Sequence, residues 1–294
     1  MIPNKRTSRI VTHGSKPRPA PPSVTLRLVK LAILCLTAAI AAAQTPAREW
    51  KLVWSDEFDR DGRPDPSRWT YETGFVRNQE LQWYQPENAH CENGMLIIEA
   101  RRERRPNPNY RSGDTRWQSG REFAEYTSAS VTTKGIASWR YGRFEMRARI
   151  DTRAGLWPAF WTLGVERRWP ANGEVDIMEY YRGTLLANLI WAGGNRTTSF
   201  TRRKPLAAFS DPEWSKQFHV WRMDWTEERI VITVDGEVLN DSPLDQAANP
   251  DGTNGFRQPH YIILNLAIGG TAGGDPSATG FPARFEVDYV RVYQ

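Results

Sequence analysis

Three carboxylates fall within six residues of one apolar stretch. Residues 173–181 read GEVDIMEYY, with acids at Glu174, Asp176 and Glu179. Val175 and Ile177 alternate with Glu174 and Asp176, the period-two pattern of a strand, so those two acids share one face while the aliphatic residues enter a core. Like charges this close raise one another's pKa and destabilise a fold, and Thr or Ser would fill a purely structural position at lower cost. Glu179 stands five residues after Glu174, and strict alternation sends it to the opposite face. One extra residue, a β-bulge at Ile177 and Met178, returns it to the acidic face.

With that bulge the two glutamates are four effective strand steps apart, about 13 Å between Cα atoms at roughly 3.3 Å per step. Two extended side chains leaning toward each other then leave about 5–6 Å between carboxyls. At about that separation one carboxylate attacks an anomeric carbon while the other protonates the leaving oxygen. Asp176, between them, is placed to hold a proton or to hydrogen-bond the nucleophile, which drives the two glutamate pKa values apart. Three other readings fit the same acids. Carboxylates are hard ligands for a divalent cation, although no His accompanies these. They also suit a solvated strand face, or a sugar-binding cleft that carries out no chemistry.

The surroundings favour sugar. Gly155-Leu156-Trp157-Pro158-Ala159-Phe160-Trp161 and then Trp169-Pro170 lie just upstream of the acids. Flat aromatic faces pack on the apolar C–H faces of sugar rings, whose hydroxyls need a hydrogen-bonding rim. Trp157, Trp161 and Trp169 are the candidate platforms, and Asn78-Gln79-Glu80-Leu81-Gln82-Trp83-Tyr84, led by Asn78, supplies amides beside aromatics.

Strand signals dominate the elements that must position these groups. In residues 141–151, Phe144, Met146, Ala148 and Ile150 alternate with Arg143, Glu145, Arg147 and Arg149. Ile230, Ile232 and Val234 repeat the pattern and lead into an Asp235-Gly236 turn. Further strands are expected at 50–54, 95–101, 127–133, 174–181, 186–191, 218–225, 260–267 and 285–293, and no long run has helical periodicity. Many antiparallel strands without helices predict an all-β, two-sheet sandwich, long enough to carry an extended ligand across one face.

The chain has 294 residues and a formal net charge of +5, but residues 1–43 hold seven basic residues and no acidic one. The remainder carries 32 basic against 34 acidic residues, so nucleic acid is not an expected partner. Residues 31–43 read LAILCLTAAIAAA, preceded by Arg27 and Lys30 and ending in small residues, the pattern of a cleavable secretory signal. Residues 1–43 are thus expected to be a signal peptide and 44–294 a single domain. The product is expected to be secreted or periplasmic, with no membrane anchor after cleavage, and monomeric. Cys35 leaves with the signal, so Cys91 is expected as a lone buried thiol, and His90, His219 and His260 have no metal-ligand spacing.

The run from Trp169 to Tyr180, WPANGEVDIMEY, closely resembles the active-site segment of family 16 glycoside hydrolases. It is similar to the bulged E-x-D-x-x-E branch of laminarinases and agarases rather than the unbulged E-x-D-x-E of lichenases. The resemblance covers about residues 48–294. It is carried also by Trp54-Ser55-Asp56-Glu57-Phe58-Asp59, residues 78–83, 141–145 and 155–161, and the ending Val287-Asp288-Tyr289-Val290-Arg291-Val292.

This resemblance implies a β-jelly roll of the concanavalin A-like kind with a substrate cleft across a concave face. It implies Glu174 as nucleophile, Asp176 as its assistant and Glu179 as general acid/base, with no cofactor for catalysis. It further implies a structural Ca²⁺ held by Glu57, the Gly94 carbonyl and Asp288. The activity implied is a retaining endo-β-glucanase acting on β-1,3- or mixed β-1,3/1,4-glucan. Alternatives are a galactan hydrolase of the agarase, porphyranase or carrageenase type, with Arg196, Arg202, Arg203 and Lys204 supplying a basic cleft, a non-catalytic β-glucan-binding protein, or a transglycosylase. One departure stands out: where many β-1,3-glucanases of the family carry a His, Asn188-Leu189-Ile190-Trp191 has Ile190.

Overall fold

The computed structural model describes residues 14, 49–194 and 196–294. The expected signal segment, Gly14 aside, lies outside the described residues, and residues Arg48–Gln294 form one unit. Fifteen strands build two antiparallel sheets. They are β1 (Leu52–Asp56), β2 (Thr70–Glu72), β3 (Ala89–Glu92), β4 (Met95–Ala100), β5 (Ser130–Thr132), β6 (Gly142–Ile150), β7 (Leu156–Gly164) and β8 (Glu174–Tyr181), followed by β9 (Thr184–Gly193), β10 (Arg196–Pro205), β11 (His219–Trp225), β12 (Arg229–Val234), β13 (Glu237–Pro243), β14 (His260–Ile268) and β15 (Ala283–Tyr293).

The back sheet runs β13-β12-β11-β6-β15-β4-β3, and β1 pairs with the second half of β15. The cleft sheet runs β10-β9-β8-β7-β14-β5-β2, so the acidic strand β8 sits near its middle. Alternation decides which face each strand turns inward. Phe144, Met146, Ala148 and Ile150 are fully or almost fully buried, while Arg143, Arg147 and Arg149 reach across the outer face to Asp224, Asp288 and Glu286. From the cleft sheet, Phe160, Val175, Ile177, Leu189, Ile262 and Leu264 meet them in one shared core. A second, smaller apolar cluster of Ala159, Trp161, Tyr261 and Ile263 lies on the other face of the cleft sheet. An apolar layer there has no sheet to cover it and forms the floor of a groove.

The two-sheet sandwich expected from the sequence is therefore present, and β8 spans the expected residues. Alternation does not announce β7 or β10. In β7 nearly every residue is buried, because one face enters the core and the other floors the cleft, so the polar half of the pattern is missing. In β10 both faces are largely polar because it is the edge of its sheet. The thiol of Cys91 is buried in the core, as expected, and burial pushes it up to about 12. His219 is held between Asp235 and the Trp214 carbonyl, and His260 between Thr162 and the Gly255 carbonyl, so both serve the fold.

Candidate active site

The bulge lies where the spacing requires it. Against β7, Met178 pairs with Phe160 and Asp176 with Trp161, which leaves Ile177 as the extra residue. Against β9, Glu174 pairs with Ile190, Asp176 with Asn188 and Glu179 with Leu186, so five steps along β8 match four along β9. Ile177 and Met178 both turn into the core, and Glu174, Asp176 and Glu179 all face the cleft. Entry to the strand is fixed by Gly173, whose φ is +76° and where a Cβ would lie 2.8 Å from the Gly255 backbone. Only glycine meets both constraints without strain.

The acids line a cleft of about 410 Å³. Trp157 donates its indole Nε1–H to Glu179 Oε1 at 2.8 Å, and Trp169 donates to Glu174 Oε2 at 2.6 Å. Trp161 donates instead to Asn265 Oδ1 at 2.7 Å, so its ring is oriented by β14. The Asn188 amide donates to both Asp176 Oδ2, at 2.8 Å, and Glu179 Oε2, at 2.9 Å. Trp157 and Trp161 are buried in the wall, whereas Trp169 is 54% exposed at the rim. The Arg77 guanidinium lies 4.9 Å from the centre of the Trp161 ring and is ion-paired to Glu72.

Burial sets the protonation pattern. It pushes the Glu179 carboxyl up to about 7, assisted by the charge of Glu174 and opposed by the hydrogen bonds from Trp157 and Asn188. Burial also holds Asp176 well above the usual carboxylate range, and both neighbouring glutamates add to this. Glu174 is raised by burial too, but the Trp169 hydrogen bond, the positive charge of Arg77 and a hydrogen bond with Asp176 pull it back toward ionisation. Three carboxyls in unequal surroundings, one of them pushed up to about 7, thus stand in one row, an arrangement suited to paired nucleophilic and acid/base work.

The structure brings together the expected acids with Asn78, Trp157, Trp161 and Trp169. Asn78 stands in a left-handed turn with Gln79 at the cleft wall, where Arg121 fastens the Gln79 and Glu80 carbonyls. Arg77, Glu80 and Asn265 also line the cleft, and no motif spacing marks them in the sequence. Arg77 and Glu80 were legible only as neighbours of Asn78.

Both carboxylates of the expected calcium set have arginine partners. Glu57 is held by both ends of the Arg291 guanidinium at 3.0 and 2.7 Å, and Asp288 by Arg147 at 2.5 Å. Gly94 lies in the tight Asn93-Gly94 turn between β3 and β4. Among the described residues no group of three or more His, Cys, Asp or Glu side chains is placed to hold a metal ion. Each of the two expected carboxylate ligands is thus paired with an arginine.

The family described as glycosyl hydrolases family 16 matches residues 78–291. A β-glucanase of Rhodothermus marinus is 40% identical over 267 residues, covering 84% of this chain and 86% of that protein. Among solved structures, the catalytic domain of an endo-1,3-β-glucanase (laminarinase) from Thermotoga petrophila RKU-1 superposes with a TM-score of 0.69 at 34% identity, covering 84% of this chain and 99% of that one. A structure described with endo-acting O-glycanases of the human gut microbiota that initiate mucin breakdown superposes with a TM-score of 0.76 at 34% identity, covering 83% of this chain and 91% of that one.

Proposed function

The chain belongs to glycosyl hydrolase family 16, and we propose that it is a retaining endo-β-glucanase cutting β-1,3- or mixed β-1,3/1,4-glucan. The observation that carries the mechanism is the bulge, which sets three acids with unequal proton affinities along one wall of an aromatic cleft. Glu174, kept toward its anionic form by Trp169 and Arg77, attacks the anomeric carbon. Glu179, protonated below about pH 7, gives its proton to the leaving oxygen and then deprotonates the water that releases the glycosyl-enzyme. Asp176 shares a hydrogen bond with Glu174 and, by holding a proton, spares the nucleophile a second neighbouring charge. Trp157, Trp161, Trp169 and Asn78 bind the sugar chain.

The names of the Rhodothermus and Thermotoga relatives support the glucan. The basic, signal-like segment at residues 1–43 supports export. A second reading, a sulfated galactan as substrate, is favoured by the exposed Arg203, whose charge reaches Glu179.

The test is a panel of laminarin, lichenan, curdlan, agarose and porphyran, with products sized over time and the configuration of newly released anomers followed by NMR. Release of β-anomers and mid-sized oligosaccharides from a glucan is expected. Cleavage of a galactan alone would overturn the substrate, and inversion of configuration would overturn the mechanism. Glu174→Ala and Glu179→Ala should each lower turnover by several orders of magnitude.

A further inference from the structure

Three residues of β9 stand in register opposite the three acids: Ile190 against Glu174, Asn188 against Asp176 and Leu186 against Glu179. Of these only Asn188 carries polar side-chain atoms, and it is 4% exposed. Its Nδ2 has two hydrogens, and the amide spends them on two different carboxyls, Asp176 Oδ2 at 2.8 Å and Glu179 Oε2 at 2.9 Å. The bulge makes this possible. Because five steps along β8 match four along β9, Glu179 is drawn back along the strand toward the residue already opposite Asp176.

The choice of acceptors sets this amide apart. Other buried Asn side chains, Asn172 and Asn240, donate to backbone carbonyls. Asn188 gives both of its hydrogens to carboxyls of the acidic row.

We propose that Asn188 is a positioning residue that clamps the acid/base Glu179 to Asp176 through the two hydrogens of one amide. The proposal rests on the acid/base role given to Glu179 above. Both bonds run from a neutral donor to a carboxyl oxygen, so each favours the charged form, and loss of the donor lets the proton stay on to higher pH. The other charged or titratable groups facing Glu179 are Glu174 and Asp176 on its own strand, Tyr181 at the end of β8, and Arg203 on β10. A change at residue 188 also removes the bond to Asp176, the other acceptor of the amide, and leaves the contacts of Glu174, Tyr181 and Arg203 with Glu179 in place.

The experiment compares kcat/KM against pH on laminarin for the wild type, Asn188→Ala and Asn188→Asp. Asn188→Asp keeps the shape but exchanges both donors for an acceptor. The alkaline limb should move to higher pH in Asn188→Ala and further in Asn188→Asp, with kcat reduced more than KM is raised. If both variants keep the wild-type midpoint while losing activity evenly across pH, Asn188 is structural and the proposal is wrong. A second measurement needs no variant to fold: in the wild type, the side-chain amide NMR signals of Asn188 should titrate with the midpoint of the kinetic alkaline limb, and signals that stay still through that limb would overturn it. A wild type that cuts no glycan at all would defeat the functional reading instead, and the NMR titration would still decide the contact between Asn188 and the acids.

Discussion

Replacing Trp157 with Phe keeps a ring in the cleft wall and deletes one hydrogen bond, the indole N–H given to Glu179 Oε1 at 2.8 Å. Glu179 titrates at about 7 in the intact site, because burial opposes its charge while this bond and the one from Asn188 favour it. A hydrogen bond to a charged group contributes about 1.5–3 kcal/mol. At about 1.4 kcal/mol per pH unit, its loss should carry the midpoint from about 7 to about 8–9. The sign is fixed by the chemistry: the acid form of Glu179 is required for leaving-group protonation, so a higher pKa extends activity upward in pH. Initial rates of reducing-end release from laminarin between pH 4 and pH 10 give kcat/KM for both proteins. In the wild type kcat/KM should fall about tenfold per pH unit above its midpoint, as expected for a single titrating acid. In Trp157→Phe the fall should begin at higher pH. Weaker sugar packing lowers the whole profile without moving its midpoint, so the two effects separate. A limb that stays in place, or moves down, would refute the assignment of Glu179 as the acid held by Trp157.

Glu179→Gln should be more heat-stable than the wild type at pH 8 but not at pH 4. The folded-state pKa of Glu179 is raised from 4.5 to about 7, so its contribution is intact below 4.5 and is lost as pH rises through 7, by about 3 kcal/mol. Calorimetric Tm at the two pH values checks this, and an equal difference at both would count against it. Arg77→Met removes the cation that favours ionised Glu174, so the acid limb of kcat/KM should move to higher pH, read from the same rate profiles. Trp169→Phe loses the bond to Glu174 at an exposed rim position, so KM for laminarin should rise and the acid limb shift upward while Tm changes little.

The acidic strand was legible because its pattern is local. Alternation of Val175 and Ile177 with acids fixes a face, and the five-residue spacing to Glu179 requires a bulge if the acids are to act together. The back-sheet strand over Gly142–Ile150 was equally plain, since one of its faces meets solvent. Leu156–Gly164 was not, because core and cleft together erase the polar half of its pattern. The three tryptophans could be named as platforms, but not which one would hold which acid.

What the sequence by itself determined is the residue chemistry of β8 and the two-sheet architecture, both set by short-range periodicity. Only the tertiary structure decided the partners. Asn188 meets Asp176 and Glu179 through the register of β9, and Asn265 orients Trp161 from β14, 104 residues along the chain. Arg77 reaches Trp161 and Glu72 from a loop before the first half of the sandwich is complete. The partners of Glu57 and Asp288 are tertiary in the same way: folding gives one carboxylate to Arg291 and the other to Arg147. Proton affinities belong to this second class as well. Glu174 and Glu179 are the same residue type in one strand, and it is burial, two indole donors, one amide and two guanidinium groups, all delivered by other strands and loops, that make their proton affinities differ.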